Sequence, residues 1–193
     1  MCLIDLPASV TNLQNKTGTA AELATKEFTF AEKKMNVIDL PKEAALRKPV
    51  WEKWYGKNKR RLMKMDREIL QLHLDAEDET DCLACGNCCR SLGPMILPDD
   101  VDRIGKSLRI KPSAVIERYL RTDEDGDRVF RSMPCPFLGD DNYCSIYENR
   151  PRACREYPHT DRKRFYQIFA LSVKNAETCP IVFKVLEKLT AGG

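Results

Sequence analysis

One short run of the chain carries four cysteines: Cys82-Leu83-Ala84-Cys85-Gly86-Asn87-Cys88-Cys89. Spacing by two residues lets consecutive thiolates turn towards one metal centre, and the glycine suits the tight backbone of such a knuckle. Of the nine cysteines in the chain, eight lie between residues 82 and 179. We therefore predict a metal site with the candidate ligands Cys82, Cys85, Cys88, Cys89, Cys135, Cys144, Cys154 and Cys179.

Length and composition are typical of one domain with appendages, or of two small domains. The chain has 193 residues, of which 42% are hydrophobic and 32% charged, and its net charge of +3 is too small to indicate nucleic-acid binding. The N-terminal residues lack the features of a signal peptide, and no apolar stretch is long enough to cross a membrane. We expect a cytoplasmic protein, where the reducing environment favours metal-bound cysteines over disulfides.

We expect three regions along the chain. Residues 1–50 are interpreted as a peripheral or partly disordered extension, residues 51–78 as an amphipathic helix packing on the core, and residues 79–193 as the cysteine-cluster metal-binding domain. The motif Leu3-Ile4-Asp5-Leu6-Pro7 recurs as Val37-Ile38-Asp39-Leu40-Pro41, each time shortly after a methionine. Two copies are too few for a repeat architecture, and the sequence leaves open whether translation starts at Met1 or Met35.

Apolar periodicity predicts the helix within residues 51–74. Its apolar stripe consists of Tyr55, Leu62, Met65, Ile69 and Leu72. The opposite face, within residues 57–67, is basic and carries Lys57, Lys59, Arg60, Arg61, Lys64 and Arg67. This basic face is either a solvated surface or a contact for an acidic protein partner.

The remaining signals predict a small α+β domain, rich in loops, whose fold is nucleated by metal. Helices are expected at residues 98–107, 112–120 and 181–189. The acidic turn at residues 123–127 lies between short runs that predict a β-hairpin. Residues 165–173 are β-branched and aromatic, so we interpret them as a strand.

Thiolate ligands exclude magnesium and calcium but do not separate zinc from iron. The first three cysteines resemble the start of a ferredoxin motif for an iron–sulfur cluster, although the expected fourth position is Leu92. Cys88 and Cys89 are adjacent, so they are not expected to face one metal in the same way. The eight thiolates therefore make either two four-ligand sites or one site plus structural thiols.

Two kinds of residue beside the cysteines need interpretation. Of the two histidines, His73 is interpreted as a partly exposed helix side chain. His159 follows Cys154 by five positions and is a further candidate ligand, although the eight cysteines already suffice. Four arginines close to the cysteines in sequence either offset thiolate charge or belong to ordinary surface; they are Arg90, Arg150, Arg152 and Arg155.

The second cysteine-rich segment completes a recognisable pattern. It contains Cys135-Pro136-Phe137-Leu138, then Tyr143-Cys144, then Tyr147-Glu148-Asn149-Arg150-Pro151-Arg152-Ala153-Cys154-Arg155-Glu156-Tyr157-Pro158, and finally Cys179-Pro180. Together with the first run it resembles the CxxCxxCC family of zinc- or iron-chelating proteins, also described as the YkgJ-like cysteine-cluster family. The resemblance covers about residues 80–182 and implies that the eight cysteines are the metal-site positions and that residues 97–104 form a short helix.

Three functions are compatible with this reading. The first is metal binding, with a structural, storage, delivery or sensing role. The second is an iron–sulfur-dependent enzyme similar to flagellin lysine N-methylase, to which some family members are similar, although no Gly-rich loop for S-adenosylmethionine follows a strand. The third is a metal-stabilised interaction module that uses the basic helix face. No catalytic residue is assigned from the sequence.

Overall fold

Helices dominate residues 37–191, the part of the chain that the computed structural model describes. A 3-10 turn at Val37–Asp39 leads into α1 (Leu40–Leu62), and α2 (Asp66–Asp78) follows after a short bend. Pro41, in the first turn of α1, is tolerated there because its missing N–H has no helical partner in any case. The predicted repetition at residues 3–7 lies outside the described residues.

The structure differs from the predicted helix over residues 51–78. Helix α1 begins eleven residues earlier, at Leu40, and residues 63–65 separate it from α2. The predicted apolar stripe is nevertheless mostly inside, because Leu62 and Ile69 are buried and Tyr55, Met65 and Leu72 pack against the same core. The predicted stripe therefore spans two helices that bury their apolar sides in one cluster.

The last two helices complete this first core. Helix α8 (Phe169–Asn175) follows a 3-10 turn at Phe165–Gln167, and α9 (Pro180–Ala191) ends the described chain. The predicted strand at residues 165–173 is wrong. Phe165, Phe169 and Val173 recur every four residues and are all buried, so the helical period prevails over β propensity. The helix predicted at residues 181–189 is confirmed as part of α9.

Aromatic contacts join these helices. Trp51 of α1 meets Phe183 of α9 edge-on, with ring centroids 5.4 Å apart. Tyr55 stacks on Phe169 at 4.4 Å, and its hydroxyl donates a hydrogen bond to the Tyr166 carbonyl. Such pairs add to the burial of large apolar side chains. Helix α9 is thus held between α1, α2 and α8.

A second core lies beneath the other helices. Helices α5 (Pro98–Leu108) and α6 (Pro112–Tyr119) pack with a two-stranded antiparallel sheet of β1 (Leu120–Thr122) and β2 (Arg128–Phe130). The Asp123 carboxylate accepts hydrogen bonds from the amides of Asp125 and Asp127 and so fixes the turn. The predicted helices and hairpin, and with them the α+β class, are confirmed.

Three very short helices carry most of the cysteines. They are α3 (Cys82–Cys85), α4 (Asn87–Ser91) and α7 (Arg152–Glu156). Helices of four or five residues are not stable alone in water. Their geometry therefore depends on caps and on contacts with the rest of the molecule.

Two surface properties complete the description. None of the helices in residues 37–191 is both long and apolar enough to cross a bilayer. The six cations of the basic face are all exposed, and none forms an ion pair with another described residue. An acidic protein partner for this face stays a prediction.

Candidate metal centre

The first cysteine run is shaped by a cap and a glycine. The Asp81 carboxylate accepts hydrogen bonds from the amides of Leu83 and Ala84, which caps α3. Gly86 then adopts φ +55°, a left-handed conformation that ends α3 and lets α4 start at the next residue. Because successive residues of a helix point about 100° apart, Cys88 and Cys89 of α4 face different directions.

Hydrogen bonds attach the later cysteines to this run. The Cys135 amide donates to the Cys89 carbonyl at 2.8 Å. The loop after it closes through an antiparallel bridge between Leu138 and Cys144. The Asn87 side chain donates to the Thr178 carbonyl at 2.8 Å, which brings Cys179 to α4.

A buried carboxylate positions Cys154. Asp100, in the first turn of α5, accepts from the Leu97 amide and from the Arg152 amide at 2.9 and 3.0 Å, and it pairs with Arg103. Arg152 begins α7, which carries Cys154 two residues later. The α5 cap therefore also fixes the helix that presents this thiol.

We define the first thiol group as Cys82, Cys85, Cys88 and Cys179. All four line one small cavity of about 30 Å³. Burial and the neighbouring thiols raise the pKa values within the group: that of Cys82 through burial and Cys85, and that of Cys179 to about 11 through burial, Cys82 and Cys85. These thiols therefore interact with one another across nearly one hundred residues of sequence.

The second thiol group comprises Cys89, Cys135, Cys144 and Cys154. Burial raises the pKa of Cys135 to about 11, with further contributions from Cys89 and Cys144. Burial likewise raises the pKa of Cys154 to about 12, and the other three members of the group contribute. The pKa of Cys144 is raised by burial and by Cys89.

The adjacent cysteines connect the groups. The Sγ atoms of Cys88 and Cys89 lie 4.0 Å apart. Their hydrogen bond, together with burial, raises the pKa of Cys88 far above its usual range. It lowers the pKa of Cys89 to about 7, and the charge of Arg90 acts in the same direction. One thiol of this hydrogen-bonded pair thus belongs to each group.

The donor chemistry of both groups fits zinc or iron. All eight cysteines are free thiols, and soft sulfur ligands suit these metals. Crowded, half-buried thiols resist ionisation, and a cation among them removes that cost. Among residues 37–191, no three His, Cys, Asp or Glu side chains converge as closely as a bound metal ion requires. The groups are therefore neighbourhoods of thiols on a folded backbone.

The histidines stand apart from these groups. His73 is buried, and its ring interacts with the Thr160 hydroxyl at 2.7 Å and with Glu77 at 3.3 Å. The expectation of a partly exposed His73 is wrong, because α2 packs this side against the loop that contains Thr160. His159 is partly buried against the Tyr157 ring, and burial lowers its pKa.

Two of the four nearby arginines interact with the site. Arg90 donates to the Cys85 carbonyl at 2.9 Å and to the side chain of Asn142, which in turn bonds the Leu83 carbonyl. Arg150 stacks 3.7 Å above the Tyr147 ring, and its charge opposes the raised pKa values of Cys144 and Cys154. Arg150 therefore acts on the second thiol group, whereas Arg90 acts on Cys89 of that group and also bonds the backbone of the first cysteine run.

The remaining two arginines lie at the surface. Arg152 is exposed and paired with Glu156, and Arg155 is also exposed. Sequence reasoning missed Asp100 and Asn142, whose roles depend on partners about fifty residues away. The acidic first turn of α5 was the only available signal for Asp100.

Comparison with known proteins identifies the family. No curated protein and no solved structure matches the chain. The family model CxxCxxCC, described as "Putative zinc- or iron-chelating domain", matches residues 81–180, which is just over half of the chain and includes all eight cysteines. The chain therefore belongs to the CxxCxxCC family of zinc- or iron-chelating domains.

Proposed function

We propose that the chain holds two metal ions, zinc or iron, each bound by one four-thiolate group, and that the metals maintain the fold of the cysteine domain. The observation that carries this proposal is that four of the eight thiols line one cavity, while the other four lie close enough to interact electrostatically with one another. The first group contains Cys82, Cys85, Cys88 and Cys179, which line one cavity. The second contains Cys89, Cys135, Cys144 and Cys154.

A structural role is supported by the distances in sequence that each group joins. The first group joins the run at residues 82–88 to Cys179, and the second joins Cys89 to Cys154. Closing such long loops restricts the unfolded chain, and bound metal adds its binding free energy to folding. The elements that carry the thiols are too short to persist by themselves.

The two thiol groups differ in the positive charges that act on them. Four thiolates around a dication carry −2 by simple counting. Arg90 and Arg150 lie where their positive charges act on the second group.

Elemental analysis tests the proposal. We expect protein purified without air to contain two metal ions per chain, and we expect Cys85→Ser and Cys154→Ser each to lose one of them, because each removes a ligand from a different group. Cys2→Ser is the matched control, since this ninth cysteine lies outside the family match. Metal-free wild-type protein, or full metal content in both serine variants, would contradict two sites.

The visible absorption spectrum of the same samples separates the alternatives. Colourless protein with zinc supports the structural role. Brown protein with iron and acid-labile sulfide would instead make the thiols ligands of an iron–sulfur cluster. That outcome would favour the redox or methylase-like enzyme over a purely structural metal protein.

A further inference from the structure

Tyr157 presents a buried hydroxyl with no ordinary partner. The residue follows α7, three positions after Cys154. Its phenol oxygen is enclosed by protein and completes no hydrogen bond of standard geometry within the described residues. A buried polar atom without a partner is costly and requires an explanation. The atoms around this hydroxyl supply one.

The hydroxyl lies on the side of the first thiol group, because Tyr157 packs against the core that contains Cys179. The Cys179 thiol lies within reach of a hydrogen bond, and the thiols of Cys88 and Cys85 are close enough for their charges to act on the phenol. Tyr157 therefore faces the group that contains Cys179, although it lies next to Cys154 of the other group in sequence. A neutral thiol is a weak acceptor, whereas a thiolate is a strong one.

We propose that Tyr157 is a positioning residue of the first site, and that its hydroxyl donates a hydrogen bond to the Cys179 sulfur when that sulfur binds metal as a thiolate. The inference rests on the proposed function, because it assumes a metal in the first thiol group. Partners of this kind orient metal ligands and tune their donor strength. A phenol is protonated at neutral pH, so the hydroxyl keeps the proton that it donates.

The two sites then differ in the groups that support their sulfurs. The phenol faces only the first group, and the charge of Arg150 acts on the second, while Arg90 bonds the Cys85 carbonyl of the first and its charge acts on Cys89 of the second. Removing the phenol oxygen should therefore alter one metal and spare the other. This asymmetry makes the inference testable in a protein that holds two similar ions.

Tyr157→Phe in the full chain tests this role. In cobalt-substituted protein we expect part of the sulfur-to-cobalt charge-transfer band to move to lower energy, because a thiolate without the hydrogen bond donates its electrons more readily. In zinc-loaded protein we expect the variant to bind one of its two zinc ions with an affinity lower by about 10-fold or more. Competition with a chelator measures this affinity. Tyr55→Phe is the control, since its hydroxyl bonds the Tyr166 carbonyl.

A second variant separates hydrogen bonding from packing. Difluorotyrosine at position 157 keeps the shape of the ring and makes the hydroxyl a stronger donor, so the same band should move to higher energy. Two bound metals with an unchanged band and unchanged affinity in both variants would overturn the role of Tyr157 and leave the proposed function intact. Wild-type protein that binds neither cobalt nor zinc would overturn both.

Discussion

At the scale of single residues, the sequence is enough to identify the candidate thiol ligands but not to divide them between the two thiol groups. The first cysteine run and the two Cys-Pro pairs mark six of the eight cysteines, and the resemblance to the family marks Cys144 and Cys154. Their division into two groups depends on contacts such as that between the Cys135 amide and the Cys89 carbonyl, which no local pattern encodes. The same is true of Tyr157, whose neighbours include Cys179, twenty-two positions away.

Asp100 provides a test at this scale. We expect Asp100→Asn to lower the free energy of unfolding by about 3 kcal/mol, because it removes the charge that Arg103 pairs with and leaves an amide facing backbone N–H donors. Urea denaturation followed by circular dichroism measures this change. Asp99→Asn, at an exposed position in the same turn, should shift the value by only about 0.5 kcal/mol or less. Equal effects in the two variants would contradict the role of Asp100.

At the scale of elements, periodicity predicted most helices, and the failures have physical causes. Residues 165–173 have strand-like composition, but Phe165, Phe169 and Val173 bury one helical stripe in the first core. The bend at residues 63–65 has neither Pro nor Gly to mark it. The short helices α3, α4 and α7 give no periodic signal at all because each is about one turn long.

The turn between α3 and α4 provides a test at the scale of elements. An alanine Cβ at position 86 would lie 2.5 Å from the Arg90 guanidinium and 3.0 Å from the Asn142 side chain. We expect Gly86→Ala to destabilise the protein by about 2 to 3 kcal/mol, adding displacement of Arg90 to the left-handed backbone cost. Gly126→Ala, also at positive φ but in open space, should cost about 1 kcal/mol. Thermal unfolding measures both changes. An equal loss of stability in the two variants would contradict the steric contribution of Arg90 and Asn142.

At the scale of the whole molecule, the described residues contain two apolar cores with different supports. The first unites α1, α2, α8 and α9 around large side chains such as Trp51 and Phe183. The second, beneath α5, α6 and the hairpin, is smaller, and Cys135 and Cys144 pack against it. Burial of large apolar side chains stabilises the first core. Under the proposed function, the loops beside the second core depend on metal bound by their thiols.

Metal removal tests this division. With a strong chelator we expect amide protection to fall throughout α3, α4, α7 and residues 131–150, because metal holds these segments. Protection in α1 and α9 should remain, since their contacts with each other are apolar. Hydrogen exchange with mass spectrometry provides the comparison between metal-loaded and chelated protein. Uniform loss of protection in all helices, or no loss near the cysteines, would contradict metal-dependent folding of this region alone.

Cys88 and Cys89 lie on one turn of α4, so the positions of their two sulfur atoms are mechanically coupled. A single peptide unit joins the two thiol groups, so any rotation of α4 that draws one sulfur towards its ion also swings the other. Under the proposed function, binding of one ion therefore restricts the same backbone that presents a ligand to the other, and this lowers the entropy that binding of the second ion must still cost.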